Sequence, residues 1–516
     1  MTDISAIDKH GAPEPVEPDT LFGHPKGLFY LFFAELWERF SFYGMRALLT
    51  LYMVNELFKA VANRDEIAIG IYAAYGTLVY ATPVLGGILA DRLLGYRRSI
   101  MLGGILMALG HFVLAFEHPV FFYGALALLI VGNGFFKPNI STFVGAIYKE
   151  KDPRRDAGFT IFYMGINIGA AAAPLACGYL GETYGWHYGF GLAGFGMLLG
   201  LIAFWNGMKK NAFGDKGFAP DPAALEKKSY GLKVKTWVPV LSIIAVPFIA
   251  VMIYRGDLFG VHLDGSIVNI LFYYVLLPII AFRIIRTMVK IDKEAREKLG
   301  VAVMLTFFMT VFWSFFELSG SAITLFADRN VDLQVLNAAQ TNFINPGFIV
   351  LFSLLFSSLW VYLAKTKRNP YSPVKFALGI AQLGLGFFIF AYSLNFANAD
   401  GKVPEIFLVL GYLFISTGEL CISPVGLSKI TQLSTKKVVS FMMGVWFLSS
   451  AFAFSLGGFI GKFMAIENVG GEAQLGMDSL IIYTDTFQSI AYVAFGFAAL
   501  ALLLTPLMRK WMHGVH

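Results

Sequence analysis

The feature that most constrains the fold of this chain is a series of apolar segments that recurs from residue 27 to residue 510. Each segment is roughly 20 residues long, which is the length that an α-helix needs to cross a bilayer. The chain has 516 residues, of which 57% are hydrophobic and 14% are charged, whereas about 25% charged residues are usual in soluble proteins. A membrane β-barrel would show short segments of alternating character, and none is seen. The pattern predicts an all-α polytopic membrane protein.

The apolar segments predict fourteen membrane spans. They lie near residues 27–57, 66–93, 97–116, 119–148, 155–181, 187–208, 236–255, 267–289, 298–327, 338–364, 372–395, 404–433, 437–464 and 482–510. A linker at residues 209–235, rich in Lys, Gly and Pro, separates six spans from eight.

The two spans within residues 236–289 have no ionisable residue in their central apolar stretches. We interpret them as an inserted pair between an N-terminal six-helix bundle at 27–208 and a C-terminal six-helix bundle at 290–516. Two halves of six spans are typical of transporters whose substrate site lies between the halves near the membrane midplane. The number of spans alone would also suit a channel or a membrane enzyme.

The basic residues predict the orientation of the chain. Most of the 40 Lys and Arg fall in the predicted inward loops, and the outward loops hold only Lys59, Arg64, Arg255, Arg329 and Lys402. Because cytoplasmic loops carry the excess of basic residues, we expect both termini in the cytoplasm and the protein in the cytoplasmic (inner) membrane. The net charge of +6 then needs no nucleic-acid partner. Residues 1–26, acidic and rich in proline at their start, are predicted to be a disordered cytoplasmic arm.

Seven ionisable residues lie inside predicted spans, away from the helix ends. They are Glu35, Glu38, Arg39, Arg46, Lys137, Glu317 and Glu419. Each costs about 2.5–3.5 kcal/mol on insertion scales, so such residues usually face a cavity or a partner. At 100° per residue, the four on the first span lie on one side of that helix.

The signs of these charges indicate the kind of ligand. Arg39 is placed to compensate the two glutamates before it, because Glu and Arg four residues apart face each other on a helix. Arg46 and Lys137 then remain as a positive surplus in the first half, and Glu317 and Glu419 as a negative pair in the second. Cations facing carboxylates suit a ligand with an ammonium and a carboxylate, such as an amino acid or a short peptide. One bound proton would balance four negative and three positive charges, which suggests a proton as a passenger.

Other side chains fall on the faces of these helices that carry the charges. Tyr43 lies about 80° from Glu35, Trp313 and Asp328 lie within about 40° of Glu317, and Ser450 lies about 40° from Trp446. Asn167 and Asn345 are amides beside Gly or Pro, where broken helices can expose backbone groups. Packing is the usual role of an aromatic side chain in a chain with 16% aromatic residues, and only their position distinguishes Tyr43, Trp313 and Trp446.

Five motifs resemble known signatures. GGILADRLLGYRR at 86–98 resembles a loop signature of the major facilitator superfamily. ELWERF at 35–40, GFFKPNIS at 134–141, FYMGINIGA at 162–170 and GELCISPVGLS at 418–428 resemble first-, fourth-, fifth- and tenth-span motifs of the proton-dependent oligopeptide transporter family. The resemblance covers nearly the whole chain. It implies the major facilitator fold, two six-helix bundles, with the inserted two-helix pair of the bacterial members.

The resemblance also implies a function and roles for individual residues. The function is proton-driven uptake of di- and tripeptides. The residues implied in proton coupling are Glu35, Glu38, Arg39 and Glu317, the last as a partner of Arg46. The residues implied in peptide binding are Arg46 and Lys137 at the carboxylate; Glu419, Asn167 and Asn345 near the ammonium; and Tyr43, Tyr80, Trp313, Trp446 and Ser450 around the side chains. The implied gates are Asp328 with Arg46 on the outer side and Lys137 with Glu419 on the inner side.

Two departures and several alternatives stay open. The second span has no histidine, unlike that of animal members, and Phe42 stands where many relatives have Tyr. A proton-coupled carrier of nitrate or another non-peptide solute is one alternative, and a peptide sensor that does not transport is another. An enzyme is disfavoured, because the spans show no zinc-type His spacing and no paired nucleophile and base. We expect no cofactor besides the coupling proton, no metal and no obligatory protein partner.

Overall fold

The computed structural model describes residues 20–149, 152–258, 261–435, 438–469, 472–473 and 475–515. In this part of the chain, thirteen helices are long and apolar enough to cross a membrane. A fourteenth long helix of 27 residues, Lys26–Tyr52, differs from them in carrying the ionisable cluster of the first predicted span. The prediction of a multi-pass helical membrane protein is confirmed.

The N-terminal half consists of six long helices. They are α1 Lys26–Tyr52, α2 Arg64–Leu89, α3 Tyr96–Leu114, α4 Pro119–Ala146, α5 Arg155–Tyr184 and α6 Trp186–Lys209. Wider π-helical turns extend α1 through Met53–Leu57 and α2 through Ala90–Leu94. Glycines in the left-handed region of φ separate neighbouring helices: Gly95 has φ 74° before α3, and Gly185 has φ 126° between α5 and α6. Side chains other than Gly seldom adopt these angles.

The linker and the insertion follow. A short helix, α7 Pro222–Glu226, lies in the linker, and the inserted pair comprises α8 Val234–Ile253, α9 Ser266–Asn269, a π-helical segment Ile270–Leu276 and α10 Leu277–Lys290. The linker packs on the N-terminal half, where the Arg97 guanidinium donates to the carbonyls of Gly214 and Lys216 at 2.6 and 2.7 Å. The inserted helices are the least buried long helices described, apart from α13 in the C-terminal half, so they lie at the periphery.

The C-terminal half contains the remaining helices. They are α11 Lys293–Phe316, α12 Ala322–Asn330, α13 Ile344–Lys365, α14 Ser372–Tyr392, α15 Glu405–Leu433, α16 Val439–Gly461 and α17 Met477–Trp511. Short 3-10 segments at Glu317–Gly320, Gln340–Phe343, Ser393–Phe396 and Lys462–Met464 join them. Asp292 caps α11 by accepting a hydrogen bond from the Ala295 N–H at 3.1 Å, the usual role of Asp at an N-cap.

The seventh predicted span, 298–327, is broken rather than continuous. Helix α11 ends at Phe316, a 3-10 turn follows, and Ser321 has φ −134° and ψ −96° before α12 begins. The Thr324 hydroxyl donates to the Ser319 carbonyl at 2.6 Å, which satisfies one backbone acceptor freed by the break. The angle predicted between Glu317 and Asp328 therefore does not apply, because it assumed one regular helix.

The strands form small two-stranded ladders in the loops. They are β1 Thr20–Leu21 with β2 His24–Pro25, β3 Lys228–Ser229 with β4 Leu232–Lys233, β5 Arg255–Leu258 with β6 Val261–Asp264, β7 Val331–Asp332 with β8 Val403–Pro404, and β9 Asn468–Val469 with β10 Glu472–Ala473. Only β7 with β8 is parallel, among the ladders in the described residues.

Residues 20–26, which the sequence analysis includes in the disordered arm, contain strands β1 and β2 and the first residue of α1. Strands β1 and β2 make a tight turn, the His24 ring lies 2.9 Å from the Tyr148 hydroxyl, and Arg154 donates to the Gly23 carbonyl at 3.0 Å. Hydrogen bonds from Arg154 also hold the pKa of Asp152 at about 2, so this pair is charged at neutral pH. Composition could not show these contacts, because their partners are more than 120 residues away. Residues 1–19 of the predicted arm lie outside the described residues.

The two ends of the bundle differ. We call the end with the loops around Arg97, Arg154 and Lys228 the basic end, and the end with the loops around Lys59 and Asn398 the opposite end. Within the described chain, hydrogen bonds between the two halves occur only from the middle of the bundle towards the opposite end. Examples are Thr50 to the Gly320 carbonyl at 2.8 Å, Thr77 to the Ala451 carbonyl at 3.2 Å, and the Ala339 N–H to Glu182 at 2.6 Å.

Burial of α2 agrees with this asymmetry. The segment from Ala68 to Val79, towards the opposite end, is buried on all sides, whereas Val84, Leu85 and Ile88 nearer the basic end are exposed. The halves are therefore closed against each other at the opposite end.

Candidate functional site

The first group of the site is the charged cluster within α1. The Arg39 guanidinium donates to both carboxylate oxygens of Glu38, through Nη2 at 2.6 Å and through Nε, and its Nε lies 3.3 Å from Glu35 Oε1. All three side chains are buried. Asn133 of α4 also approaches Glu38 Oε1 at 3.5 Å. The structure thus brings Glu35, Glu38 and Arg39 together, with Glu38 as the stronger partner of the arginine.

One carboxylate oxygen in this cluster has no partner. Glu35 Oε2 is buried and makes no hydrogen bond within the described chain. A buried polar atom without a partner costs free energy, so this oxygen is a place where a proton or a ligand donor would be stabilised. Neither of its neighbours in α1 supplies that donor.

The second group joins the two halves. Arg46 of α1 donates from Nη2 to Glu317 Oε2 at 2.7 Å and to the Ser319 hydroxyl at 3.2 Å, and from Nε to the Tyr72 hydroxyl at 2.6 Å. The 3-10 turn after α11 lets Glu317 and Ser319 reach the same guanidinium, because it tightens the chain where the helix ends. Arg46 and Glu317, which the resemblance implies as partners, are in contact.

Lys137 of α4 lies over an aromatic ring. Its Nζ is 3.8 Å from the centre of the Tyr80 ring, a cation–π contact. In the described chain Lys137 makes no ion pair, and in particular none with Glu419. The Lys137 ammonium therefore lies against the Tyr80 ring, with no carboxylate of the described chain in direct contact.

Glu419 of α15 has a different environment. Its Oε2 accepts a hydrogen bond from Asn345 Nδ2 at 3.2 Å, and the same amide donates to the Ser416 hydroxyl at 3.0 Å. The structure thus brings together Glu419 and Asn345, two residues assigned to the peptide ammonium. Asn167, the third, donates to the Tyr163 carbonyl of its own helix at 2.9 Å.

The aromatic residues assigned to the site, other than Tyr80, lie in three places. Tyr43 stands beside Arg46, whose guanidinium carbon is 5.9 Å from the centre of the ring. Trp313 packs edge-to-face on Phe316 with centroids 4.6 Å apart, next to Glu317. Trp446 of α16 is buried, whereas Ser450, one turn further on, is half-buried.

Asp328 is not a partner of Arg46 in this structure. It lies in α12 beside Asn55 and Arg329, beyond the break that follows Glu317. The outer gate implied for these two residues is not formed in this structure, in which Arg46 contacts Glu317, Ser319 and Tyr72. The inner gate of Lys137 with Glu419 is not formed either.

Sequence reasoning missed two parts of the site. Asp65 at the start of α2 and Arg329 of α12 form a buried ion pair between the halves, with O–N distances of 2.5 and 2.8 Å. Tyr72 and Phe454 connect the polar groups, as described below. The charges of Asp65 and Arg329 were visible near predicted span ends, but sequence offers no signal that pairs residues 264 positions apart. In the described residues, no group of three or more His, Cys, Asp or Glu could hold a metal ion.

The geometry defines the class of protein. Two helical halves meet around buried charges of both signs, with the ion pairs that join the halves confined to one end, as in a membrane transporter of the major facilitator type.

The chain belongs to the POT family. The family model described as "POT family" matches residues 97–474. The chain is 37% identical over 518 residues to the uncharacterized transporter YclF of Bacillus subtilis, covering 99% of this chain and 100% of that protein. It is 35% identical to the peptide transporter YePEPT of Yersinia enterocolitica, covering 95% and 96%. It is 36% identical to a di-/tripeptide transporter of Lactococcus lactis, covering 84% and 88%.

Solved structures agree. A peptide transporter POT in complex with sulfate has a TM-score of 0.82 at 36% identity, covering 99% of this chain and 100% of that chain. A mutant peptide transporter POT in complex with alafosfalin has a TM-score of 0.81 at 35% identity, covering 97% and 98%. A POT family transporter in complex with 5-aminolevulinic acid has a TM-score of 0.79 at 30% identity, covering 95% and 98%. The resemblance found in the sequence and the major facilitator fold are confirmed.

Proposed function

We propose that this protein transports peptides, specifically that it imports di- and tripeptides together with protons by alternating access. The observation that carries the proposal is the division of charge: Lys137 and Arg46 belong to one half, and Glu317 and Glu419 belong to the other. A zwitterionic ligand between the halves satisfies both signs at once. Relatives at 35–36% identity are named peptide or di-/tripeptide transporters, which supports the same substrate class.

In this proposal the termini of the peptide are bound by opposite halves. Lys137 binds the peptide carboxylate, since its ammonium has no ion-pair partner among the described residues. Binding requires the loss of only part of its cation–π contact with Tyr80. Arg46 assists once it is released from Glu317. Glu419 binds the peptide ammonium. The side-chain oxygen of Asn345 lies beside this site, because Asn345 Nδ2 donates a hydrogen bond to the Glu419 carboxylate.

Protons act through Glu317, which joins the two halves, and through Glu35 within α1. Protonation of Glu317 removes the charge that Arg46 pairs with, so the arginine becomes free to bind a peptide carboxylate and the ion pair at the boundary weakens. Glu35, with its unpartnered oxygen, accepts a proton next to Glu38 and Arg39. Each elementary charge that moves inwards gains about 2.3 kcal/mol per 100 mV of membrane potential, which drives accumulation.

The orientation belongs to the same proposal. If the basic end faces the cytoplasm, as the distribution of Lys and Arg favours, both termini are cytoplasmic and the protein lies in the inner membrane. The described structure is then the inward-facing state, closed towards the outside. In this state the peptide and the proton are released.

Uptake of labelled dialanine into liposomes tests the proposal. With the purified protein and an acidic outer solution, we expect accumulation that a protonophore abolishes and that excess nitrate does not inhibit. Equal uptake with and without the pH gradient would contradict proton coupling, and competition by nitrate would favour the carrier of a non-peptide solute. Exchange of internal unlabelled for external labelled dialanine (counterflow) would exclude a sensor that binds without transport.

A further inference from the structure

The side chain of Phe454 on α16, in the C-terminal half, packs on α2 at a glycine, Gly76. A Cβ added to Gly76 would lie only 2.0 Å from the Phe454 ring, so the ring sits directly on the backbone of α2 at that glycine. Phe454 is 3% exposed. Only a residue without a side chain permits this approach.

Two tyrosines flank the ring. Tyr72 and Tyr80 lie four residues before and after Gly76, and positions i, i+4 and i+8 share one face of a helix. The Phe454 ring is stacked on Tyr80 with centroids 5.3 Å apart and planes at 30°, and it contacts Tyr72 at 5.8 Å and 49°. One phenylalanine of the second half therefore touches both tyrosines of the first.

Each tyrosine holds a different functional cation. The Tyr72 hydroxyl accepts a hydrogen bond from Arg46 at 2.6 Å, and the Tyr80 ring lies 3.8 Å from the ammonium of Lys137. The ring of Phe454 thus connects the residue that closes the halves, Arg46, to the residue that we assign to the peptide carboxylate. An aromatic pair stabilises an interface beyond its buried area, enough to shift a two-state equilibrium about two- to tenfold.

We propose that Phe454 is a positioning residue that couples occupancy at Lys137 to closure of the opposite end. When a peptide carboxylate binds Lys137, the ammonium moves away from the Tyr80 ring, and the Tyr80 ring can change its stacking on Phe454. Because Phe454 lies between α16 and α2, this change alters the packing of the two helices. The proposal rests on the proposed function, since it takes the peptide carboxylate as the ligand of Lys137. Phe454 itself has no polar group and does not touch the substrate.

A distance measurement across the opposite end tests this. Spin labels are placed on cysteines at Ala60 and Ala399, which are exposed there in the first and second halves, in a background of Cys177→Ala and Cys421→Ala. In lipid nanodiscs, dialanine should shift the wild-type distances towards the closed state. In the wild type, dialanine raises the ratio of closed to open populations by a certain factor. In Phe454→Leu we expect that factor to be about fivefold smaller. Phe454→Tyr keeps the aromatic ring and should respond to dialanine as the wild type does.

The matched control is Phe459→Leu on the same helix, since Phe459 is 63% exposed and makes no contact with these tyrosines. Phe459→Leu should respond as the wild type does. A full dialanine response in Phe454→Leu would overturn the coupling role, as would equal loss in Phe454→Leu and Phe454→Tyr. No response in the wild type would contradict peptide binding itself, so the two failures are distinguishable. Dialanine counterflow in Phe454→Leu should persist with less pH dependence, which a merely unfolded variant would not show.

Discussion

The Asp65 carboxylate accepts two hydrogen bonds from the Arg329 guanidinium, at 2.5 and 2.8 Å, across the boundary between the two halves. The same carboxylate accepts the Ile466 N–H at 3.0 Å, and Arg329 also donates to the Tyr483 hydroxyl at 3.2 Å. The two side chains are 1% and 5% exposed. The Asp65–Arg329 and Arg46–Glu317 ion pairs therefore stabilise the closed opposite end at two separate positions along the bundle.

Replacing Asp65 with Asn should favour opening of the opposite end. It removes the carboxylate that pairs with the buried Arg329 guanidinium, and loss of one partner of a buried ion pair costs about 3–5 kcal/mol. Since this cost falls on the closed state, the Ala60 and Ala399 spin labels should report a larger open population than in the wild type. Glu66→Gln is the control, because its pair with Lys462 is substantially exposed and such pairs contribute at most about 1 kcal/mol. An equal effect of both variants would contradict the closing role of Asp65.

Replacing Glu317 with Gln should separate transport from its driving force. The amide is isosteric but cannot carry the proton, so dialanine counterflow should persist while accumulation driven by a pH gradient falls at least tenfold. Liposome uptake at symmetric and asymmetric pH measures both. Glu117→Gln, at an exposed pair with His187, is the matched control and should behave as the wild type. Normal gradient-driven accumulation by Glu317→Gln would refute the assignment.

Lys137→Ala and Glu419→Gln should each abolish proton-driven dialanine uptake. Either change removes the charge that binds one terminus of the peptide, and a charged hydrogen bond that is lost in a dry site costs several kcal/mol. Lys209→Ala is the control, since Lys209 also lies over an aromatic ring, 3.5 Å from Trp205, but at the end of α6. Full uptake by both test variants would show that the two residues do not hold the peptide.

Gly320→Ala should impair both folding stability and transport. A Cβ at this position would lie 2.1 Å from the Tyr72 hydroxyl and 2.8 Å from Arg46 Nε, in the middle of the polar contacts that join the halves. We expect a loss of about 1–3 kcal/mol, as for other overpacked sites, measured as a lower Tm in detergent with reduced counterflow. Gly496→Ala, where a Cβ meets nothing within 4 Å, should leave both unchanged. An unchanged Tm and unchanged counterflow in Gly320→Ala would mean that the backbone between α11 and α12 can move to accommodate the added methyl group.

Sequence was sufficient for most of the helices and for the seven ionisable residues within the predicted spans. Apolar length predicts spans because the bilayer sets it, and the cost of burying charge singles out Arg46, Glu317 and Glu419. The contact of Arg46 with Glu317 followed from the resemblance. These inferences depend on properties of single segments or on known motifs.

The parts that sequence could not supply depend on tertiary contacts. The break at Ser321 is stabilised by hydrogen bonds to the freed turn, and a regular 100° projection cannot represent it. Asp65 and Arg329 lie near span ends, where charges are ordinarily solvated. Phe454 is one of 51 phenylalanines, and only its contacts with Gly76, Tyr72 and Tyr80 distinguish it. Residues 20–25 contact Tyr148 and Arg154, which lie more than 120 residues away between α4 and α5.

The central claim is that opposite halves bind the two charged ends of one peptide, and ligand-dependent thermal stability tests it most directly. Dialanine, N-acetyl-dialanine and dialanine amide are compared with the wild-type protein under the same conditions. A ligand at a hundred times its Kd stabilises by about 2.7 kcal/mol, so we predict a clear rise in Tm with dialanine and at least tenfold weaker binding of either capped form. Equal stabilisation by all three peptides would contradict the account.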